Sequence, residues 1–150
     1  MKLKVSFAVS FWVCCLFASV CVAGQNTINH KNFYQLTGDL LNAKMLVLTY
    51  DIDKCCYLYK EAFKFEVKDS EAVIGSVLLP EGQKHKDDYF GDVEIYREQV
   101  KITLAIDYSR VLANPGSLIV KARHQGCSDE GVCFLPADNL LDFAFFPGFK

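Results

Sequence analysis

The stretch 100-VKITLAI-106 puts Val100, Ile102, Leu104 and Ile106 on one face of an extended chain and Lys101 and Thr103 on the other. Successive side chains of a strand point to opposite faces, so a period of two predicts a half-buried β-strand. The same reading extends outward. In 118-LIVKARH-124, Leu118, Val120 and Ala122 alternate with Ile119, Lys121 and Arg123. In 63-FKFEV-67, Phe63, Phe65 and Val67 alternate with Lys64 and Glu66. The run 45-MLVLTYDI-52 is rich in strand formers and holds no breaker, and 140-LLDFAFF-146 reads as a last strand closed by Pro147-Gly148. Turn chemistry separates these runs at Lys68-Asp69-Ser70, Pro80-Glu81-Gly82 and Asn114-Pro115-Gly116. No stretch predicts a helix of ten or more residues. Several short antiparallel strands in one domain predict an all-β, immunoglobulin-like antiparallel β-sandwich, with a small closed barrel as the alternative.

One segment breaks the rhythm. The stretch 83-QKHKDDYFGD-92 begins charged and then presents Tyr89 and Phe90 before Gly91, and it reads as a loop. Its aromatics either tuck under the loop into the core or cover something.

The first residues bear on compartment. Lys2 and Lys4 precede an uncharged run from Val5 to Val22, which ends in Cys21-Val22-Ala23-Gly24-Gln25. A basic start, an apolar run and small residues at the cut site predict a secretory signal peptide over residues 1–23, leaving residues 24–150 as one domain. The alternative is a retained membrane anchor, because the run reaches the lower end of spanning length. Val20 stands where a lipoprotein signal would carry a small residue. Loss of residues 1–23 takes the net charge from −2 to −4 and removes Cys14, Cys15 and Cys21. A mildly acidic surface argues against a nucleic-acid partner. Export puts the remaining Cys55, Cys56, Cys127 and Cys133 where disulfides persist.

Cys127 and Cys133 sit in 125-QGCSDEGVCF-134, and Gly131 allows the turn that would bring them together. Closing so short a loop removes little entropy from the unfolded chain, so the pair is a weak staple and a plausible redox couple. Spacing leaves a static disulfide and a redox pair both open. A zinc site drawing on Cys55, Cys56, Cys127, Cys133 and His124 fits less well. The C-x5-C spacing is wider than the usual knuckle, and neighbours on a strand point apart. No metal and no cofactor are expected. Asp129 and Glu130 would raise the thiol pKa if they lie close to the sulfurs, and otherwise form a solvated loop tip.

Four blocks resemble the N-terminal periplasmic domain of the DsbD family of thiol:disulfide interchange proteins: 57-YLYKEAFKF-65, 79-LPEG-82 with His85, 88-DYFGDVEIYR-97 and 125-QGCSDEGVCFLP-136. Together they span about residues 45–140. The resemblance implies an immunoglobulin-like sandwich. It makes Cys127 and Cys133 the pair that cycles between dithiol and disulfide, with Cys133 joining partners. It assigns Asp87, Asp88, Tyr89, Phe90 and Gly91 to a cap loop, with Tyr89 as the shielding aromatic, and it places Tyr57 and Tyr59 beside the site. The implied partners are a thioredoxin-like electron donor and thioredoxin-like acceptors such as DsbC-like isomerases and cytochrome c maturation thioredoxins.

Two departures stand out. The sequence stops at Lys150, whereas the family protein continues into a membrane domain and a thioredoxin-like domain. A stand-alone version would take electrons from a separate membrane carrier, as a monomer in the periplasm; the alternative is a paralogue that has lost the relay. Second, Cys55 and Cys56 precede Tyr57, where the family has Gly and an aromatic. Cys55 shares a strand face with Tyr57 and Tyr59 and is a candidate third thiol near the pair. The alternative is that both are ordinary buried cysteines. A bond between adjacent residues is not expected, because it would strain the backbone. The functional expectation is thiol–disulfide exchange. The rival is a non-catalytic immunoglobulin-like binding module with a static disulfide.

Overall fold

A computed structural model describes residues 33–42, 44–68, 71–109 and 117–144. The signal or anchor segment, the turns at Asp69-Ser70 and Asn114-Pro115-Gly116, and Phe145-Phe146 lie outside the described residues.

Among the described residues eleven strands follow in order: β1 (Tyr34–Asn42), β2 (Met45–Ile52), β3 (Cys56–Tyr59), β4 (Lys64–Lys68), β5 (Val73–Leu78), β6 (Gln83–Asp87), β7 (Gly91–Tyr96), β8 (Gln99–Asp107), β9 (Ser117–His124), β10 (Gly126–Ser128) and β11 (Ala137–Ala144). Among the described residues the helical part is a single 3-10 turn, Lys60–Ala62. All strand pairings are antiparallel, in sheets ordered β1-β2-β8-β5, β10-β3-β7-β6 and β11-β9-β4.

The register explains why the first sheet forms. Leu46 lies opposite Leu104, Leu48 opposite Ile102 and Tyr50 opposite Val100. The apolar alternations of β2 and β8 therefore coincide on one face, and a slip of one residue would turn both outward. Leu46, Leu48, Tyr50, Ile102 and Leu104 are fully buried there, as are Leu118, Val120 and Ala122 of β9. Burying each large side chain contributes about 1.5–3 kcal/mol. Side chains from all three sheets meet in this one core.

The segment read as a loop is a hairpin. Gln83 to Asp87 pair with Ile95 to Gly91, and only the turn between them carries Asp88, Tyr89 and Phe90. β6 is an edge strand with most of its side chains exposed, so it shows no apolar alternation, and its lysines suit an unpaired edge. The chain at Cys55 also differs from expectation. It precedes β3 and lies in a turn closed by the Cys56 N–H donating to the Asp53 carbonyl at 3.0 Å.

Candidate functional site

β3 is buried on both faces. Cys56 and Leu58 join the main core, while Tyr57 and Tyr59 project into a second, smaller cluster with Ile95 and Cys127. The strand is thus a wall with the core on one side and the site on the other. β10 lies against it, with Gly126 opposite Leu58, Cys127 opposite Tyr57 and Ser128 opposite Cys56. The approach is so close that a Cβ at Gly126 would overlap the Tyr57 carbonyl oxygen. Only glycine fits there.

Beyond β10 the chain turns back on itself. The Gly131 N–H donates to the Ser128 carbonyl at 3.0 Å, and the Ser128 N–H to the Val132 carbonyl at 2.9 Å. Gly131 takes φ +79°, the left-handed conformation expected of it. Phe134 anchors the far end: it is buried, its N–H donates to the Gly126 carbonyl at 3.0 Å, and its ring stacks on Phe33 at 4.9 Å. Cys127 and Cys133 are thereby brought to a Cα separation of 4.0 Å and joined in a disulfide. The two cysteines differ in exposure: Cys127 is fully buried and Cys133 is exposed.

Beneath the disulfide lies a polar network. The Tyr59 hydroxyl donates to Asp87 Oδ2 at 2.5 Å and stands 2.9 Å from Cys127 Sγ and 3.8 Å from Cys133 Sγ. The Tyr57 hydroxyl donates to the same carboxylate oxygen at 3.0 Å. The other oxygen, Oδ1, accepts the N–H groups of Tyr89 at 2.8 Å and Phe90 at 2.9 Å. Burial works against the charged form of Asp87, but the bonds from Tyr59, from the Tyr89 and Phe90 backbone and from Tyr57 outweigh it, taking its pKa down to about 2. Burial pushes both tyrosines up, with Asp87 adding to the effect, so both keep their protons. With its proton committed to Asp87, Tyr59 offers Cys127 an oxygen lone pair. A Cys127 thiol can fill that acceptor by donating to it.

The hairpin tip stands over this network. Tyr89 and Phe90 are 72% and 60% exposed, so neither tucks into the core. The Phe90 ring packs edge-on against Tyr59 at 5.3 Å. Tyr89 lines a pocket of about 150 Å³ together with Tyr57, His85, Asp88, Asp129 and Cys133. The His85 ring lies 4.8 Å from Tyr57. Gly91 opens β7 directly after the tip. The residues picked out by sequence, from Tyr57 and Tyr59 through Asp87–Gly91 to Cys127 and Cys133, thus come together at one end of the second sheet.

Sequence reasoning missed Arg97. Its Nη2 donates to Asp129 Oδ1 at 2.7 Å, and its guanidinium lies 5.1 Å over the Tyr57 ring. Asp129 is therefore an ion-pair partner, with its carboxyl held below the usual range by Arg97. The acid linked to the sulfurs, through Tyr59, is Asp87. Glu130 stays exposed at the loop tip. Arg97 closes the F-G-x-x-E-I-Y-R run, but nothing in its spacing points across to a residue more than thirty positions away.

Cys55 and Cys56 require a correction. They are joined in a disulfide at a Cα separation of 3.8 Å. The alternation that turns neighbours to opposite faces holds inside a strand, and Cys55 lies in the turn before β3. Nor are both buried: Cys56 is, whereas Cys55 is exposed. The Cys55 carbonyl accepts the Asp129 N–H at 2.7 Å, which ties this turn to the loop of the other disulfide.

Comparison with known proteins agrees with this architecture. The family model described as thiol:disulfide interchange protein DsbD, N-terminal, matches residues 29–144. Thiol:disulfide interchange protein DsbD 1 of Pseudomonas aeruginosa is 38% identical over 86 residues, 57% of this chain and 14% of that protein. DsbD of Colwellia psychrerythraea is 32% identical over 115 residues, 77% of this chain and 17% of that protein. The chain therefore spans about a sixth of the length of these curated relatives. The reduced N-terminal domain of Neisseria meningitidis DsbD superimposes with a TM-score of 0.66 at 16% identity, covering 79% of this chain and 90% of that one. The same Neisseria domain in complex with a PilB N-terminal domain gives 0.58 at 16% identity, covering 82% and 94%. The fold is the immunoglobulin-like sandwich expected from the strand pattern. The chain belongs to the family of the N-terminal domain of the thiol:disulfide interchange protein DsbD.

Proposed function

We propose that this domain exchanges electrons with thioredoxin-like proteins through Cys127 and Cys133. The observation that carries the reading is the unequal exposure of the two cysteines, Cys133 exposed and Cys127 buried against Tyr59. A thiolate from a partner dithiol reaches Cys133 Sγ. A mixed disulfide forms, the Cys127–Cys133 bond breaks, and its electron pair leaves on Cys127. Cys127 takes a proton and donates it in a hydrogen bond to the Tyr59 oxygen. The partner's second thiolate then attacks its own sulfur in the mixed disulfide and frees Cys133. The partner departs oxidised, and its two protons and two electrons reside on this domain. The reverse sequence reduces an acceptor.

Asp87 adjusts the reactivity of the reduced pair. A carboxylate one hydroxyl away disfavours a thiolate on Cys127, so the thiols are slow toward stray disulfides. The Tyr89–Phe90 tip restricts approach, and docking of the correct protein displaces it. Access then governs exchange. The donors and acceptors are thioredoxin-like domains, DsbC-like isomerases and cytochrome c maturation thioredoxins, supplied through a membrane electron carrier in the periplasm. The complex of the related Neisseria domain with a PilB N-terminal domain supports protein docking as the mode of recognition.

The test is equilibration of the folded domain with a glutathione or thioredoxin redox series, with the thiols of Cys127 and Cys133 counted at each step. Reversible gain of two thiols is expected. A pair that stays oxidised until the protein unfolds would sink the proposal and leave a binding module with a static disulfide. A Cys127→Ser variant should retain partners on Cys133 as mixed disulfides, identifiable by mass spectrometry.

A further inference from the structure

The second disulfide has no structural task that the fold leaves to it. Cys55 and Cys56 are adjacent, so their bond encloses almost no chain and constrains the unfolded state very little. The turn that holds them is already closed by the Cys56 N–H on the Asp53 carbonyl at 3.0 Å. Cys56 fills its place in the core as a small apolar side chain, which a free thiol does equally well. What the bond adds is chemistry.

Its surroundings repeat those of the other pair. One sulfur-bearing residue, Cys56, is fully buried, and its partner Cys55 is exposed. Cys56 lies across the ladder from Ser128, next to Cys127, and the Cys55 carbonyl holds the Asp129 N–H at 2.7 Å. Both disulfides therefore hang on one short ladder between β3 and β10. Each pairs one exposed cysteine with one buried cysteine.

We propose that Cys55–Cys56 is a second thiol–disulfide exchange site, attacked at Cys55 by a protein dithiol. It shares only the class of partner with the function proposed above. The incoming thiolate forms a bond to Cys55 Sγ, the Cys55–Cys56 bond breaks, and the electron pair goes to Cys56 Sγ, which takes a proton. The partner's second thiolate attacks its own sulfur in the mixed disulfide, and Cys55 is released as a thiol. Two electrons and two protons have moved, and the partner leaves as a disulfide. With both pairs reduced, the domain stores twice the electrons of a single-disulfide relay. An exposed disulfide is the kind that exchanges readily rather than serving as a buried staple.

The sequence allows each pair to be read separately. Lys54 and Lys60 bracket a tryptic peptide, residues 55–60, whose cysteines are Cys55 and Cys56; cleavage after Arg123 gives residues 124–150 with Cys127 and Cys133. The folded, oxidised chain is incubated with increasing dithiothreitol or a reduced thioredoxin, quenched with N-ethylmaleimide and digested. Peptide 55–60 should start unlabelled and gain two labels while the protein is still folded. The proposal is overturned if that peptide stays unlabelled until denaturant is added, or if it carries two labels before any reductant. Peptide 124–150 in the same digest reports the other pair, so either site can fail alone. Point of attack is checked with oxidised glutathione. Cys56→Ser should retain glutathione on Cys55, and Cys55→Ser, with its thiol buried, about ten-fold less. Equal retention by the two variants would rule out Cys55 as the attacked sulfur.

Discussion

At the scale of single residues, Asp87 and Gly126 set the terms of the site. Asp87 gathers two tyrosine hydroxyls and two backbone N–H groups on one carboxylate. Asp87→Asn removes a negative charge one hydroxyl from Cys127, so the thiol pKa of the reduced pair should fall. Alkylation rate against pH on the reduced domain measures it, and an unmoved midpoint would separate Asp87 from the sulfurs. Gly126→Ala asks the chain to place a methyl group on the Tyr57 carbonyl. The strand pair must part, at a cost of about 1–3 kcal/mol, the range for overpacking a tight site. Denaturant midpoints of the oxidised proteins should show that loss. The need for glycine here was not legible in the sequence, since it arises from a strand nearly seventy residues away. The bonded Cys55 and Cys56 were missed for a different reason: a rule for strands was applied to a turn.

The elements divide by how they are buried. β2, β8 and β9 were readable because each has one dry face, and burial writes a period of two into such a strand. β3 is dry on both faces and β6 wet on most of both, so neither carries an alternation. The hairpin of β6 and β7 is nonetheless the element to which the proposed function assigns access to the disulfide. Its tip rests on the site through Phe90 on Tyr59 and through Tyr89 in the pocket of Cys133. The double change Tyr89→Ala/Phe90→Ala should raise the rate of reduction by glutathione or dithiothreitol about ten-fold or more, as expected when access limits exchange. Stability should change little, because both side chains are exposed. An unchanged rate would remove the covering role from this hairpin.

For the whole molecule, stability rests on one core shared by three sheets. Leu104 is fully buried opposite Leu46, and Leu104→Ala should cost about 2–5 kcal/mol in equilibrium unfolding. Acid should also weaken the fold. The carboxyls of Asp87 and Asp138 sit at about 2 in the folded chain, Asp87 through its four donors against burial, Asp138 through Arg123 and Lys121. Unfolded, each returns to about 3.9. Groups depressed on folding stabilise above the unfolded value, and that share is lost as pH falls from about 4 to about 2. Asp138 is solvent-exposed and its pairing screened, so Asp87 carries more of the effect. The melting temperature should drop across that window, and less steeply in Asp87→Asn. An identical slope in the variant would assign the acid sensitivity elsewhere.

The two-sided burial of β3 has one more consequence. Leu58 and Tyr59 belong to a strand that cannot leave the site without leaving the core, whereas Tyr89 and Phe90 belong to an exposed turn that rests on the buried Tyr59 through the Phe90 ring. In amide hydrogen exchange the β3 backbone should open only with global unfolding, and the hairpin tip through local fluctuations of far lower free energy. The floor beneath the disulfide and the hairpin tip then run on separate clocks, and under the proposed exchange only the tip has to move for a partner to dock.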